Sequence, residues 1–182
     1  MTAFERVIAE GGVAVFPADT VYGLACDPAS PEAVARLYAL KGRPADKPAA
    51  VMFFTLDRAL AALPELGPGL RGAVEALLPG PVTLLLPNPL ARYPLACGPD
   101  PWTLGLRVPA PGPLGDVAVA VLQSSANRSG GADPRTLDAV DRAVRDGADL
   151  VVDLRGYERD GEFTVLRAGA RTHAEIAAAL AS

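Results

Sequence analysis

Short apolar runs alternate with helix-patterned segments along most of the chain, and this alternation confines it to an α/β architecture. Val13 to Phe16, Ala49 to Phe54, Val82 to Leu86 and Thr103 to Val108 read as strands. Val117 to Val121 alternates and is rich in β-branched residues, which predicts another. Asp149 to Leu154 reads as extended and Phe163 to Arg167 as a strand. Residues 3–10, 69–78, 136–146 and 173–181 carry helical patterning. Ser30-Pro31-Glu32 supplies an N-cap and a proline at the first helical position, and Val34, Leu37, Tyr38 and Leu40 form a stripe that ends at Lys41. Gly11-Gly12 stops the first helix, Pro17-Ala18-Asp19 predicts a turn, and Pro79-Gly80-Pro81 closes the helix before it. The chain has 182 residues, half of them hydrophobic, so residues 1–182 are expected to form one domain with its own core. Residues 155–162 are the most polar stretch and read as a mobile loop.

Polar residues gather at the ends of these runs, where ligands bind in α/β sheets. The first strand delivers Asp19, Thr20 and Tyr22. Arg107 is a charge in an otherwise apolar strand. After the 117–121 run comes Gln123-Ser124-Ser125-Ala126-Asn127-Arg128-Ser129-Gly130-Gly131, whose small hydroxyl residues and glycines let backbone amides approach an anion. The chain has only two lysines, Lys41 and Lys47, against fifteen arginines, and both lie in Lys41-Gly42-Arg43-Pro44-Ala45-Asp46-Lys47-Pro48. A flexible cation on a loop suits a polyphosphate; a solvated loop with incidental charge is the alternative.

Absences exclude several chemistries. His173 is the only histidine, and Thr172-His173-Ala174-Glu175 is a capping-box pattern, so it reads as a helix-start residue. No Ser-His-Asp or Cys-His pair can be built around it, nor a zinc set. No Walker or dinucleotide-binding glycine pattern is present. Cys26 and Cys97 lack metal-ligand spacing and read as buried free thiols. No apolar run reaches membrane-spanning length, and no signal peptide is seen at Met1-Thr2-Ala3-Phe4-Glu5, which leads to a cytoplasmic expectation without membrane association. The net charge of −4 argues against broad nucleic-acid binding.

Six segments in order resemble the YrdC/Sua5 family of threonylcarbamoyl-AMP synthases. They are Pro17-Ala18-Asp19-Thr20-Val21-Tyr22-Gly23-Leu24, Lys41-Gly42-Arg43-Pro44, Pro79-Gly80-Pro81-Val82-Thr83-Leu84, Leu106-Arg107-Val108-Pro109, Ser125-Ala126-Asn127-Arg128-Ser129-Gly130 and Leu166-Arg167-Ala168-Gly169. The length matches the short, single-domain form. The resemblance implies a twisted, open mixed α/β sheet with flanking helices around a concave basic cavity. It also implies that ATP, L-threonine and bicarbonate give threonylcarbamoyl-adenylate and pyrophosphate. The product would feed N6-threonylcarbamoyladenosine formation in tRNAs that read codons beginning with A. Such an enzyme needs no protein nucleophile, which suits this residue inventory.

Carried over residue by residue, the resemblance makes Lys41 and Arg43 catalytic. It gives Arg43, Lys47, Ser125, Asn127 and Arg167 to ATP, and Thr20, Arg107 and Gln123 to threonine. Mg²⁺ would arrive with ATP and take no protein ligand. The implied partners are the three substrates, the other proteins of the tRNA pathway and, at most weakly, tRNA itself. This chain departs from the family in having Ala18 where a threonine is usual, Phe163 where a serine is common, and a shortened segment before Gln123. Three alternatives stand beside this reading: a carbamoyl-adenylate-forming carbamoyltransferase domain, a non-catalytic RNA-binding module, and a family member retained only for binding.

Overall fold

The structure, a computed structural model, describes residues 1–112, 114–115, 117–153 and 164–167, the last four by their backbone. Among these residues eight strands form one sheet in the order β7-β1-β2-β6-β3-β5-β4-β8. The strands are β1 (Ala14–Ala18), β2 (Val21–Cys26), β3 (Ala50–Met52), β4 (Val82–Pro87), β5 (Thr103–Arg107), β6 (Val121–Ser125), β7 (Leu150–Val151) and β8 (Thr164–Arg167). The helices are α1 (Ala3–Ala9), α2 (Pro31–Lys41), α3 (Leu56–Ala62), α4 (Pro68–Leu77), α5 (Pro94–Cys97) and α6 (Arg142–Asp146). The sheet is mixed: β1–β7, β3–β5 and β4–β8 run parallel, and the other four pairs antiparallel. None of the described helices is long and apolar enough to cross a membrane.

Strand side chains alternate between faces, so the sequence of each strand decides what its two faces meet. One face carries Val15, Leu24, Val51, Leu84, Leu86, Leu104, Leu106 and Leu122, all essentially inaccessible to solvent. Residues of α2, α3, α4 and α6 pack in the same cluster and form the main core. The opposite face is divided. Ala14, Phe16, Ala18, Ala25, Met52 and Val121 form a second, smaller core with Phe4 and Ile8 of α1 and with Val117. The remainder of that face (Thr83, Leu85, Thr103, Gly105, Arg107, Gln123, Ser125) has none of the described helices over it and becomes the floor of a cavity.

Several sequence expectations need correction. The turn expected at Pro17-Ala18-Asp19 lies one step later. Pro17 and Ala18 pair with Tyr22 and Val21, and the reversal falls at Asp19 and Thr20, with Asp19 at φ 67°. The following strand β2, with Gly23 and Ala25 diluting its apolar signal, had no counterpart in the sequence reading. The strand expected at 117–121 begins only at Val121. Its first residues hand their backbone groups to side chains: the Ala118 N–H donates to Glu5 Oε1 at 2.8 Å, and its carbonyl accepts from Arg58 at 3.5 Å. Helix 136–146 is interrupted at Val140, which is extended, and α6 restarts with the Asp141 carboxylate accepting the Ala143 N–H at 2.8 Å. Helices α3 and α5 were also not foreseen. Cys26 and Cys97 are buried free thiols, as expected. The helix at 173–181, His173 and the loop at 155–162 lie outside the described residues.

Between β4 and β5 the chain makes an excursion that forms one wall of the cavity. Ala91 and Tyr93 adopt left-handed φ of 47° and 51° within it. Asn88, 2% exposed, ties both ends together. Its Nδ2 donates to the carbonyls of Arg92 at 3.0 Å and Pro101 at 2.8 Å, and its Oδ1 accepts the Arg92 N–H at 3.0 Å. Asn88→Ala leaves these backbone groups buried without partners, at a cost of about 2–4 kcal/mol in total. We expect a melting temperature lower by about 5–10 °C for a chain of this size. A thermal melt of the variant beside wild type checks this; an unchanged melt would mean that the excursion is held by other contacts.

Candidate functional site

The open half of the sheet, the excursion and the loops after α2 and β6 enclose a cavity of about 510 Å³. Arg43, Arg107, Gln123 and Ser125, four of the residues proposed from sequence, line it. Cys97, Asp100, Thr83 and Asp133 also line it and were not foreseen. Thr83 could have been found: it is the polar residue on the face of β4 opposite Val82 and Leu84. Asp133 sits in an irregular segment that carries no pattern. Among the described lining residues the charged side chains are two arginines, Arg43 and Arg107, and two aspartates, Asp100 and Asp133.

Arg107 is the last residue of β5 and only 2% exposed. Its Nη1 donates to Gln123 Oε1 at 2.8 Å, and its Nη2 to the Ala18 carbonyl at 3.5 Å. Burial pulls the guanidinium down to about 10, opposed by Asp19 and then Asp133, so it stays charged at neutral pH. Ala18, the departure from the family pattern, thus contributes a backbone carbonyl. Gly23 makes room for this arrangement. A Cβ there would stand 2.8 Å from Gln123 Nε2 and 3.0 Å from Ala18 Cβ. Thr20 is buried in the turn, its hydroxyl has no hydrogen-bond partner among the described residues, and it is not among the residues that line the cavity.

Lys41 is not the mobile loop cation expected from sequence. It is the last residue of α2, 1% exposed, with its side chain turned inward. Gly42 at φ 57° ends the helix behind it. The ammonium donates to the Ser125 carbonyl, to the Asn127 carbonyl at 2.9 Å and to Asn127 Oδ1 at 2.8 Å. The Lys41 carbonyl in turn accepts the Ser129 N–H at 2.8 Å. Three N–H donors meet three oxygens, and the end of β6 is fastened to the end of α2. Asn127 completes the fastening: its Oδ1 also accepts from the Ser125 hydroxyl at 2.8 Å, and its Nδ2 donates to the Gly131 carbonyl at 2.5 Å.

Arg43 reaches the cavity from the loop after Gly42. Its Nη2 donates to the Pro48 carbonyl at 2.5 Å, and its guanidinium carbon stands 5.8 Å from the centre of the Tyr38 ring. The Tyr38 hydroxyl donates to the Lys47 carbonyl at 2.9 Å. The loop is therefore folded onto the end of α2, while the Lys47 side chain is exposed and outside the lining. Arg167 lies on the edge strand β8, in register with the cavity residue Leu85.

Comparison with known proteins gives consistent results. The Sua5/YciO/YrdC family model, described as telomere recombination, matches residues 6–175. A threonylcarbamoyl-AMP synthase of Halorhodospira halophila is 34% identical over 168 residues, covering 88% of this chain and 87% of the relative. One from Hahella chejuensis is 31% identical over 170 residues, covering 90% and 92%. The structure of P. abyssi Sua5 complexed with L-threonine superposes with a TM-score of 0.74 at 26% identity, covering 90% of this chain. The chain spans about half the length of that protein, 49%.

The buried ammonium has a thermodynamic signature. Burial, and next the charge of Arg43, push Lys41 from its ordinary 10.5 down to about 8, with Asp133 opposing. The unfolded chain holds this proton up to about pH 10.5, and the folded chain releases it near 8. Across that window unfolding takes up a proton, so this residue's contribution to stability rises with pH. Cys26 acts the other way: burial, with Asp27, raises it from 9.0 to about 12. The effect is therefore read as a difference. Denaturant titrations at pH 7 and pH 10 should show wild type gaining on Lys41→Met by on the order of 1 kcal/mol. Parallel pH profiles for the two proteins would place the proton elsewhere.

Proposed function

The chain belongs to the Sua5/YciO/YrdC family, and on that premise we propose that it is an L-threonylcarbamoyl-adenylate synthase. Its substrates are ATP, entering with its Mg²⁺, L-threonine and bicarbonate. The observation that carries this reading is the presence of two guanidinium groups, Arg43 and Arg107, on one cavity of about 510 Å³. The reaction brings together a carboxylate and a polyphosphate, and each needs a cation.

The residues suggest a division of labour. Arg107, deep in the sheet and steadied by Gln123, takes the threonine carboxylate. The threonine amine joins bicarbonate carbon with loss of water, giving a carbamate. A carbamate oxygen then attacks the α-phosphorus, and the bond from that phosphorus to the bridging oxygen breaks as pyrophosphate leaves. Arg43 offsets the charge that develops on the departing phosphates, while Ser125 and the Asn127 loop, with Arg167 and Lys47, cradle the nucleotide. Lys41 serves this chemistry from behind by holding Ser125 and Asn127 in place, since its protons are committed to their oxygens. Thr20 is a neighbour of the threonine pocket through its buried turn. The product is passed to the proteins that modify tRNA, and the setting is the cytoplasm.

Pyrophosphate release from ATP should require both L-threonine and bicarbonate. Turnover on carbamoyl phosphate in place of both would instead favour the carbamoyltransferase reading, and ATP binding without turnover a binding protein. Arg107→Ala should weaken threonine by about 2–5 kcal/mol, the cost of stripping a buried charged partner, with ATP affinity little changed. Calorimetric titration with each ligand decides it: equal losses for both ligands would make Arg107 a residue of the fold alone. Lys41→Ala should lower both kcat, by about tenfold or more, and the melting temperature. A normal melt with slow turnover would put the ammonium on the phosphates directly.

A further inference from the structure

An amino acid that sets its carboxylate on Arg107 brings an ammonium group into the same cavity. A partly buried cation needs an anionic partner there. The described lining residues offer two carboxylates, Asp100 and Asp133. Asp100 belongs to the excursion wall, and its Oδ1 accepts the Trp102 N–H at 3.1 Å. Asp19 acts electrostatically on Arg107, but its carboxylate accepts the Ala110 N–H at 3.4 Å, and it lines a separate cleft of about 20 Å³ with Phe16 and Phe54. Asp133 differs from both. Its carboxylate accepts no hydrogen bond from another described residue, and it acts on the charges of both Arg107 and Lys41, so it lies within electrostatic reach of each. Its backbone is also fixed. Two residues before it the Gly131 carbonyl is held by Asn127 Nδ2 at 2.5 Å, and one residue after it the Pro134 carbonyl accepts the Tyr22 N–H at 2.7 Å.

We propose that Asp133 receives the α-ammonium group of the amino-acid substrate, and so makes the cavity select an amine over a hydroxyl at that carbon. The inference rests on the reading of the cavity as an amino-acid site. It gives the exposed carboxylate a task of its own: Asp100, the other described carboxylate of the lining, already accepts the Trp102 N–H at 3.1 Å, and the remaining described polar lining groups are cations, hydroxyls, a thiol and an amide. It also accounts for the balanced charge of the walls: Arg107 and Asp133 together match the two charges of a zwitterion.

The test uses the full chain, calorimetry, and two ligands that share a carboxylate: L-threonine and its 2-hydroxy analogue, 2,3-dihydroxybutanoate. Both are titrated with a non-hydrolysable ATP analogue present. Wild type should prefer threonine, and Asp133→Asn should weaken threonine by about ten- to a hundredfold while the hydroxy acid changes by less than about twofold, so the preference collapses. Asp133→Glu should keep part of the preference. Equal losses for both ligands, or an unchanged preference, would overturn the proposal. So would an intact preference accompanied by a higher Mg²⁺ requirement for nucleotide binding, which would put Asp133 on the metal. Threonine failing to bind wild type would instead remove the functional reading itself.

Discussion

One ammonium group sets the shape of the site. Lys41 closes three hydrogen bonds inside the protein, and all three go to the residues at the end of β6. Without that contact, the backbone bond from Ser129 to Lys41 would be the one hydrogen bond among the described residues between α2 and the loop from Ser125 to Gly131. With it, the helix end, the strand end and the loop form one unit. Arg43 is reached two residues beyond Lys41, and Asp133 two residues beyond Gly131. Arg43 and Asp133 therefore take their positions from a residue that does not line the cavity. Burying a charge against neutral oxygens is costly, and the cost is tolerable here because every N–H finds an acceptor.

The second organising constraint is the unequal cover of the sheet. Helices α2 to α6 all contribute to the main core, while α1 and the segment around Val117 cover part of the other face. Polar residues can then sit on central strands, where both faces would normally be apolar. Arg107 and Gln123 occupy such positions, are 2% and 4% exposed, and are hydrogen-bonded to each other. The small residues Gly23, Ala50 and Gly105 keep the floor low between them.

Much of this was legible in the sequence, for identifiable reasons. Thr103-Leu104-Gly105-Leu106-Arg107 alternates cleanly, so both its strand character and its odd polar face could be read. Ser30 and Pro31 announced α2, and the proline-glycine cluster closed α4. What escaped was decided by distant partners. Val117 to Ala120 has strand composition, but the carboxylate of Glu5, more than a hundred positions away, takes the Ala118 N–H. β2 hides behind its glycine and alanine, and Gly23 is there because Gln123 and Ala18 crowd it. Lys41 looked like a loop cation because charge next to Gly42 and Pro44 reads as solvent-facing; nothing local reports that its head finds three oxygens at and just beyond the end of β6. Asp133 had no pattern to be found by, since its placement follows from tertiary hydrogen bonds on either side.

The excursion between β4 and β5 divides the cavity into two kinds of surface with different histories open to them. The floor is written in strand parity: shifting β4 or β5 by one residue would turn Thr83, Thr103 and Arg107 into the leucine core and bring leucines out in their place. Such a surface can change only by single replacements that keep the pairing intact. The wall is a self-contained parcel, closed on itself by the amide of Asn88 and joined to the sheet at its two ends. Its length and contour can drift without moving a strand, so long as that one amide is kept. Selection acting on ligand shape can therefore work on the wall while the charge-reading floor stays inherited.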